Sequence, residues 1–84
     1  MRFEGARVVV TGSSRNTGLG IAWRFAAEGA RVVVNGTDAA RVATAVSIVP
    51  GSVGAVADLS TRSGVEALFE VVDRELGGVE VLVN

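Results

Sequence analysis

Val8-Val9-Val10 leads through Thr11-Gly12-Ser13-Ser14-Arg15-Asn16-Thr17-Gly18 into Leu19-Gly20-Ile21-Ala22, so an apolar run of the buried type passes through a glycine-punctuated turn directly into a helical pattern. Few folds accept that order of parts. Glycines at 12 and 18 let the backbone come close to a ligand, and the free N–H groups of a helix opening near Gly18 present partial positive charge to a phosphate. The stretch predicts a nucleotide-binding turn between a strand and a helix.

The rest of the chain repeats the same unit. Three consecutive valines mark a first strand over residues 5–10 that is covered on both faces. Leu19, Ala22, Phe25 and Ala26 then recur at helical spacing until Gly29 stops the helix. A second valine run predicts a strand over 30–35 that ends at about Asn35. Asn35-Gly36-Thr37-Asp38 supplies turn and cap residues. Val42, Ala45, Val46 and Val49 mark a second helix over 39–49, closed by Pro50-Gly51. A weaker strand follows over 53–57. Ser60 is the expected N-cap of a third helix carrying Val65, Leu68, Phe69, Val72 and Leu76 on one side. Gly77-Gly78 closes it, and residues 79–84 read as a fourth strand.

An alternating β-α-β-α-β-α-β order with short connections predicts a parallel sheet with right-handed crossovers, an α/β fold of three layers, α/β/α, with strand order 3-2-1-4. The first two helices then cover one face and the third the other. A ligand belongs at the switch point between strands 1 and 4, at the carboxyl ends of the strands. Strand 4 as an apolar edge, and a face carrying one helix, predict an exposed apolar patch on the isolated chain and a tendency to aggregate.

Composition narrows the chemistry. The net charge is −1 with scattered arginines, which leaves no electrostatic footprint for nucleic acid or an anionic membrane. No apolar run has the length of a membrane span, the N-terminus lacks a signal-peptide core, and cysteine is absent, so a cytoplasmic setting is expected. His, Lys and Tyr are absent too, which removes most groups used for acid–base and nucleophilic catalysis near neutral pH. No catalytic residue and no metal ligand set is expected in these residues. Ser13 and Ser14, with no base to activate them, read as hydrogen-bonding members of a phosphate loop. Trp23 lies off the apolar stripe, as a partly buried ring or a contact surface.

With strand, glycine turn and helix in this order, the sequence resembles the classical short-chain dehydrogenase/reductase family along its whole length. The resemblance rests on Thr11-Gly12, Gly18, Ala27-Glu28-Gly29-Ala30, the run 32–35, Asp58-Leu59, and the ending Gly77-Gly78-Val79-Glu80-Val81-Leu82-Val83-Asn84. It implies a Rossmann-type fold. The family turn is Thr-Gly-x-x-x-Gly-x-Gly, so Gly12 and Gly18 match its first and third glycines and Asn16 replaces the second. Asn is the non-glycine residue most tolerant of a left-handed backbone. Gly20 occupies a position where relatives commonly carry a small residue facing the sheet.

The resemblance also implies a cofactor site made of Gly12, Ser14, Arg15, Asn16, Thr17, Gly18, Asn35, Gly36, Thr37, Asp58, Leu59 and Asn84. Arg15 stands where NADP-preferring relatives place a basic residue to meet the 2′-phosphate. NAD-preferring relatives end strand 2 in an acid, where this chain has Asn35-Gly36-Thr37, so NADP is favoured over NAD. A strand ending two residues later would instead bring Asp38 toward the ribose. Asp58 matches the acid that meets the adenine amino group, with a turn-capping role as the alternative. Asn84 matches the first Asn of the strand 4 motif.

The family's Ser, Tyr and Lys belong to a half that follows strand 4. The expectation is therefore the N-terminal, dinucleotide-binding part of one oxidoreductase domain, similar to the 3-oxoacyl-ACP reductase type, whose small carbonyl or alcohol substrate is turned over by a homo-oligomeric whole protein. A non-catalytic dinucleotide-binding module, suggested by Asn16, is the alternative.

Overall fold

The computed structural model describes residues 2–84. Four strands, β1 (Arg7–Val10), β2 (Arg31–Gly36), β3 (Val53–Val56) and β4 (Val81–Val83), alternate with three helices, α1 (Asn16–Ala27), α2 (Ala39–Ile48) and α3 (Arg62–Glu75). All strand pairs are parallel, in the order β3-β2-β1-β4, as the short connections require.

The valine runs explain the three layers. Side chains alternate across a strand, so Val8, Val10, Val32 and Val34 enter a core with Ala22 of α1 and Ala45 of α2. Val9 and Val33 point the other way, toward Ala55 and Ala57, toward Leu68 and Val72 of α3, and toward Leu76 at its C-cap. Each of these six valines is at most 1% exposed, so every residue of the two central runs is core. β-branched side chains suit such a pleated, doubly covered surface.

Several boundaries differ from the sequence expectation. β1 begins at Arg7 because Ala6 N–H closes a turn on Phe3 O (2.9 Å), which folds residues 2–5 back onto α1 with Phe3 and Phe25 edge to face at 4.9 Å. β2 runs one residue past Asn35, to Gly36, because Asn35 is held inside the sheet by partners far away in sequence. Thr61, not Ser60, caps α3: its hydroxyl accepts Gly64 N–H at 3.0 Å, while Ser60 turns to Asp58. Gly20 is exposed with open space where a Cβ would stand, so it does not face the sheet.

The apolar stripe of α3 is only half used. Leu68, Val72 and Leu76 are buried, whereas Val65, Phe69, Val79 and Leu82 are 37–48% exposed. The helix packs on β3, and its outer edge and the β4 side of that face stay open. Trp23 is 47% exposed on α1.

β4 is fastened at its start. Arg7 N–H donates to Glu80 Oε1 (2.7 Å), the Arg7 guanidinium binds Glu80 Oε2, and Glu80 N–H returns to Arg7 O (2.9 Å). The side-chain hydrogen bond from Arg7 is the main reason the Glu80 carboxyl sits below its ordinary pKa. A depressed carboxylate contributes stability above its unfolded pKa and loses it as pH falls through the folded value. Glu80→Gln is therefore expected to lower stability at neutral pH and to flatten its acid dependence, read from urea midpoints between pH 7 and pH 3. Parallel curves for the two proteins would refute this.

Candidate functional site

The carboxyl ends of β1 and β2 and the N-terminus of α1 meet in one cleft, lined by Thr11, Gly12, Ser14, Arg15, Asn35, Gly36, Thr37, Ala57 and Leu59. It runs along the carboxyl edge of the sheet from β1 toward β3, beside the point where strand order reverses between β1 and β4.

The turn is shaped by three residues. Gly12 has φ +58° and Asn16 has φ +56°, so the left-handed corner at Asn16 is formed without glycine. Gly18 has an ordinary φ but no room. A Cβ there would overlap the Gly12 carbonyl oxygen and lie 3.0 Å from Ser13 Cα. Helix α1 thus starts pressed against the end of β1. Its N-cap, Arg15, supplies no side-chain cap, and its first turn contains no acid. The leading N–H groups of a helix have no intrahelical partner, so this end is suited to an anion. The helix opens at Asn16, two residues earlier than the sequence reading placed it.

Beneath the turn lies a polar network that sequence reading missed. Buried Ser13 donates its hydroxyl to Val10 O (2.5 Å) and accepts Asn35 N–H (2.8 Å), while Ser13 N–H donates to Asn35 O (2.7 Å). The Asn35 side chain accepts Gly12 N–H (3.1 Å) and donates to Ala55 O (3.1 Å) and Ala57 O (3.3 Å). Asn35 is only 2% exposed, and its amide ties the turn to β3. Asn35 thus forms the floor of the cleft, its side-chain amide taken up by backbone groups. Ser13 likewise bonds backbone and offers nothing to a phosphate.

The remaining expected residues fall around this floor. Gly36 ends β2 against Ser14, whose Oγ would be 2.6 Å from a Cβ at position 36. Ser14, Arg15 and Thr37 are on the cleft wall. Thr17 is exposed in the first turn of α1. Asp58 stands in sequence between Ala57 and Leu59, which line the cleft, and is not itself part of the lining. Ser60 donates to its Oδ1 from both hydroxyl (2.7 Å) and backbone N–H (2.9 Å). Those bonds, the hydroxyl first, hold its carboxyl below the usual Asp range, so it presents a carboxylate. Asn84 follows β4, where its Oδ1 accepts the Thr11 hydroxyl at 3.3 Å. Asp38 caps α2 through Arg41 N–H (3.1 Å). Ala57 and Arg41 were not singled out from sequence, and Thr11 only as part of the turn motif, not as a residue of the cleft.

Residues 6–84 match the sequence profile described as short chain dehydrogenase. The chain belongs to that family. It is 39% identical over 85 residues to galactitol 2-dehydrogenase of Agrobacterium fabrum, a match covering 100% of this chain and 33% of the relative. The structure of L-sorbose reductase from Gluconobacter frateurii complexed with NADPH and L-sorbose is similar at a TM-score of 0.91 and 34% identity, over 100% of this chain and 35% of that one. A 3-ketoacyl-(acyl-carrier-protein) reductase from Brucella melitensis complexed with NADH gives 0.90 and 32%, over 95% and 33%. The chain thus spans about a third of the length of the curated relatives it matches. Among the described residues no helix of this short-chain dehydrogenase/reductase chain is long and apolar enough to cross a membrane, and no acidic or imidazole cluster could hold a metal.

Proposed function

We propose that residues 1–84 are the dinucleotide-binding part of an oxidoreductase that prefers NADP(H) and moves hydride between the nicotinamide and a carbonyl/alcohol pair. The observation that carries the cofactor reading is the lining of the cleft: one guanidinium, Arg15, and no carboxylate. A 2′-phosphate is a dianion for most of the physiological range, and a ribose diol is neutral, so this lining favours the phosphorylated cofactor. One solved relative carries NADPH and another NADH, so the fold serves both and discrimination falls to the side chains.

In this reading the open end of α1 takes the pyrophosphate across Gly12, Asn16, Thr17 and Gly18, with Ser14 beside it. Gly36 and Thr37 flank the ribose. Asp58 and Leu59 meet the adenine, whose amino group suits a carboxylate held ionised. Asn84, steadied by Thr11, borders the nicotinamide side. The nicotinamide supplies the hydride when bound. With no Tyr, Lys, His or Cys in these residues, proton transfer to the substrate falls to groups outside them. A Tyr-x-x-x-Lys beyond position 84 is expected in the whole protein. Asn16 adopts the left-handed corner that the missing glycine would have supplied, which supports a binding-competent turn in this reading and in that of a non-catalytic module alike.

Fluorescence titration of the intact protein tests the cofactor preference. NADPH is expected to bind about tenfold or more tightly than NADH, the contribution of one charge-assisted contact. Equal affinities, or tighter NADH, would overturn it. Turnover of NADPH with a panel of ketones tests the enzyme reading, and tight binding without turnover would reject it.

A further inference from the structure

The chain carries eight arginines and no lysine. Arg7, Arg24, Arg62 and Arg74 pair with glutamates. The Arg31 guanidinium donates to Glu75 O (2.7 Å), and Arg2 lies over the Phe3 ring at 5.9 Å. Among the described residues only Arg15 and Arg41 have neither an ion-pair partner, nor a side-chain hydrogen bond, nor an aromatic ring beneath the guanidinium, and both are exposed. The same two line one cleft of about 280 Å³ with Ser14, Thr37 and Asp38, beside the main cleft. A second depression runs between them over Ala40 and Thr44.

Arg41 is in the first turn of α2, where the helix dipole opposes a cation. Asp38 answers only part of that charge, since its Oδ1 is taken by Arg41 backbone N–H. The cleft therefore holds two guanidiniums, one carboxylate and a positive helix end. A dianion between the arginines would relieve the repulsion from all three positive sources together.

We propose that Arg41 is the second arm of the 2′-phosphate site, closing on the anion from α2 while Arg15 closes from the turn, with the Ser14 and Thr37 hydroxyls donating between them. This rests on the NADP(H) reading above and makes cofactor selectivity a property of two elements rather than of the glycine turn alone.

The test uses the intact protein, titrated with NADPH, NADH and 2′,5′-ADP as wild type, Arg15→Ala, Arg41→Ala and Arg41→Lys. Arg41→Ala is expected to weaken NADPH and 2′,5′-ADP by about 10- to 100-fold, as loss of a forked charge-assisted contact does, with NADH changed by no more than about twofold. Arg41→Lys should fall between, because an ammonium cannot fork onto two oxygens. If wild type prefers NADPH and Arg41→Ala binds it equally well, the second arm is wrong and the cofactor reading stands. If wild type shows no preference, both fall. A loss of NADPH and NADH in equal measure would make Arg41 a general support of the fold and would also overturn the proposal.

Discussion

Asn35→Ala is expected to destabilise the protein by about 3 kcal/mol or more, seen as a lower urea midpoint at unchanged slope. The side chain is 2% exposed and satisfies three groups at once: Gly12 N–H and the carbonyls of Ala55 and Ala57. Each buried group left without a partner costs about 1–3 kcal/mol, and the vacated space adds a packing loss. Asn35→Asp separates this role from cofactor reading. Aspartate keeps an acceptor for Gly12 N–H but sets carboxylate oxygens against the Ala55 and Ala57 carbonyls in a buried site. Its pKa is then pushed up, so the ionisation part of the penalty is absent where the carboxyl is protonated in both states and grows as pH rises above the ordinary Asp range, while the single O–H of the acid still leaves one of the two carbonyls without a donor. The variant should be less stable than Asn35→Ala at pH 7 and recover toward acid. A stable Asn35→Asp with a gain in NADH affinity would show instead that this position faces the ribose.

The sheet was legible because its signal is local. Residues 8–10 and 32–34 are apolar at every position, and a strand with no polar face has both faces covered; the connections are too short for anything but parallel crossovers. What escaped was fixed by partners distant in the chain. Asn35-Gly36 looks like a turn, yet Gly12, Ser13 and the carbonyls of Ala55 and Ala57 hold Asn35 in the sheet from 20 to 23 residues away. Ser60 and Thr61 are equally able caps. The choice falls to Thr61 because Gly64, three residues on, presses against the Asp58 carbonyl with no space for a Cβ. Arg41 and Arg24 are both single arginines on helix surfaces. Only the structure shows that Arg24 pairs with Glu28 while Arg41 shares a cleft with Arg15. The cofactor turn was readable for the opposite reason, since all of its conformational demands fall within seven consecutive residues, 12–18.

Those demands give the largest functional effect, expected for Gly18→Ala. A methyl group at position 18 would overlap the Gly12 carbonyl oxygen, with Ser13 Cα at 3.0 Å and Gly12 C at 3.1 Å, all of them backbone that no rotamer change can move. The turn must open, at about 1–3 kcal/mol of stability for an overpacked site. Opening also carries the N-terminus of α1 away from the end of β1, where its N–H groups would meet the pyrophosphate. Because that group is common to both cofactors, NADPH and NADH should weaken together, on the order of 100-fold for a loss near 3 kcal/mol. Arg15→Ala should weaken NADPH alone. Wild-type affinity in Gly18→Ala at an unchanged melting temperature would refute the close-approach role. Gly20→Ala is the control two residues away in the same helix. Nothing lies within 4 Å of a Cβ there, so alanine should stabilise α1 by up to about 1 kcal/mol through helix propensity and leave both cofactors bound. Opposite outcomes from the same substitution in one helix would assign the binding effect to the contact between Gly18 and the Gly12 carbonyl, since propensity alone favours alanine at both positions.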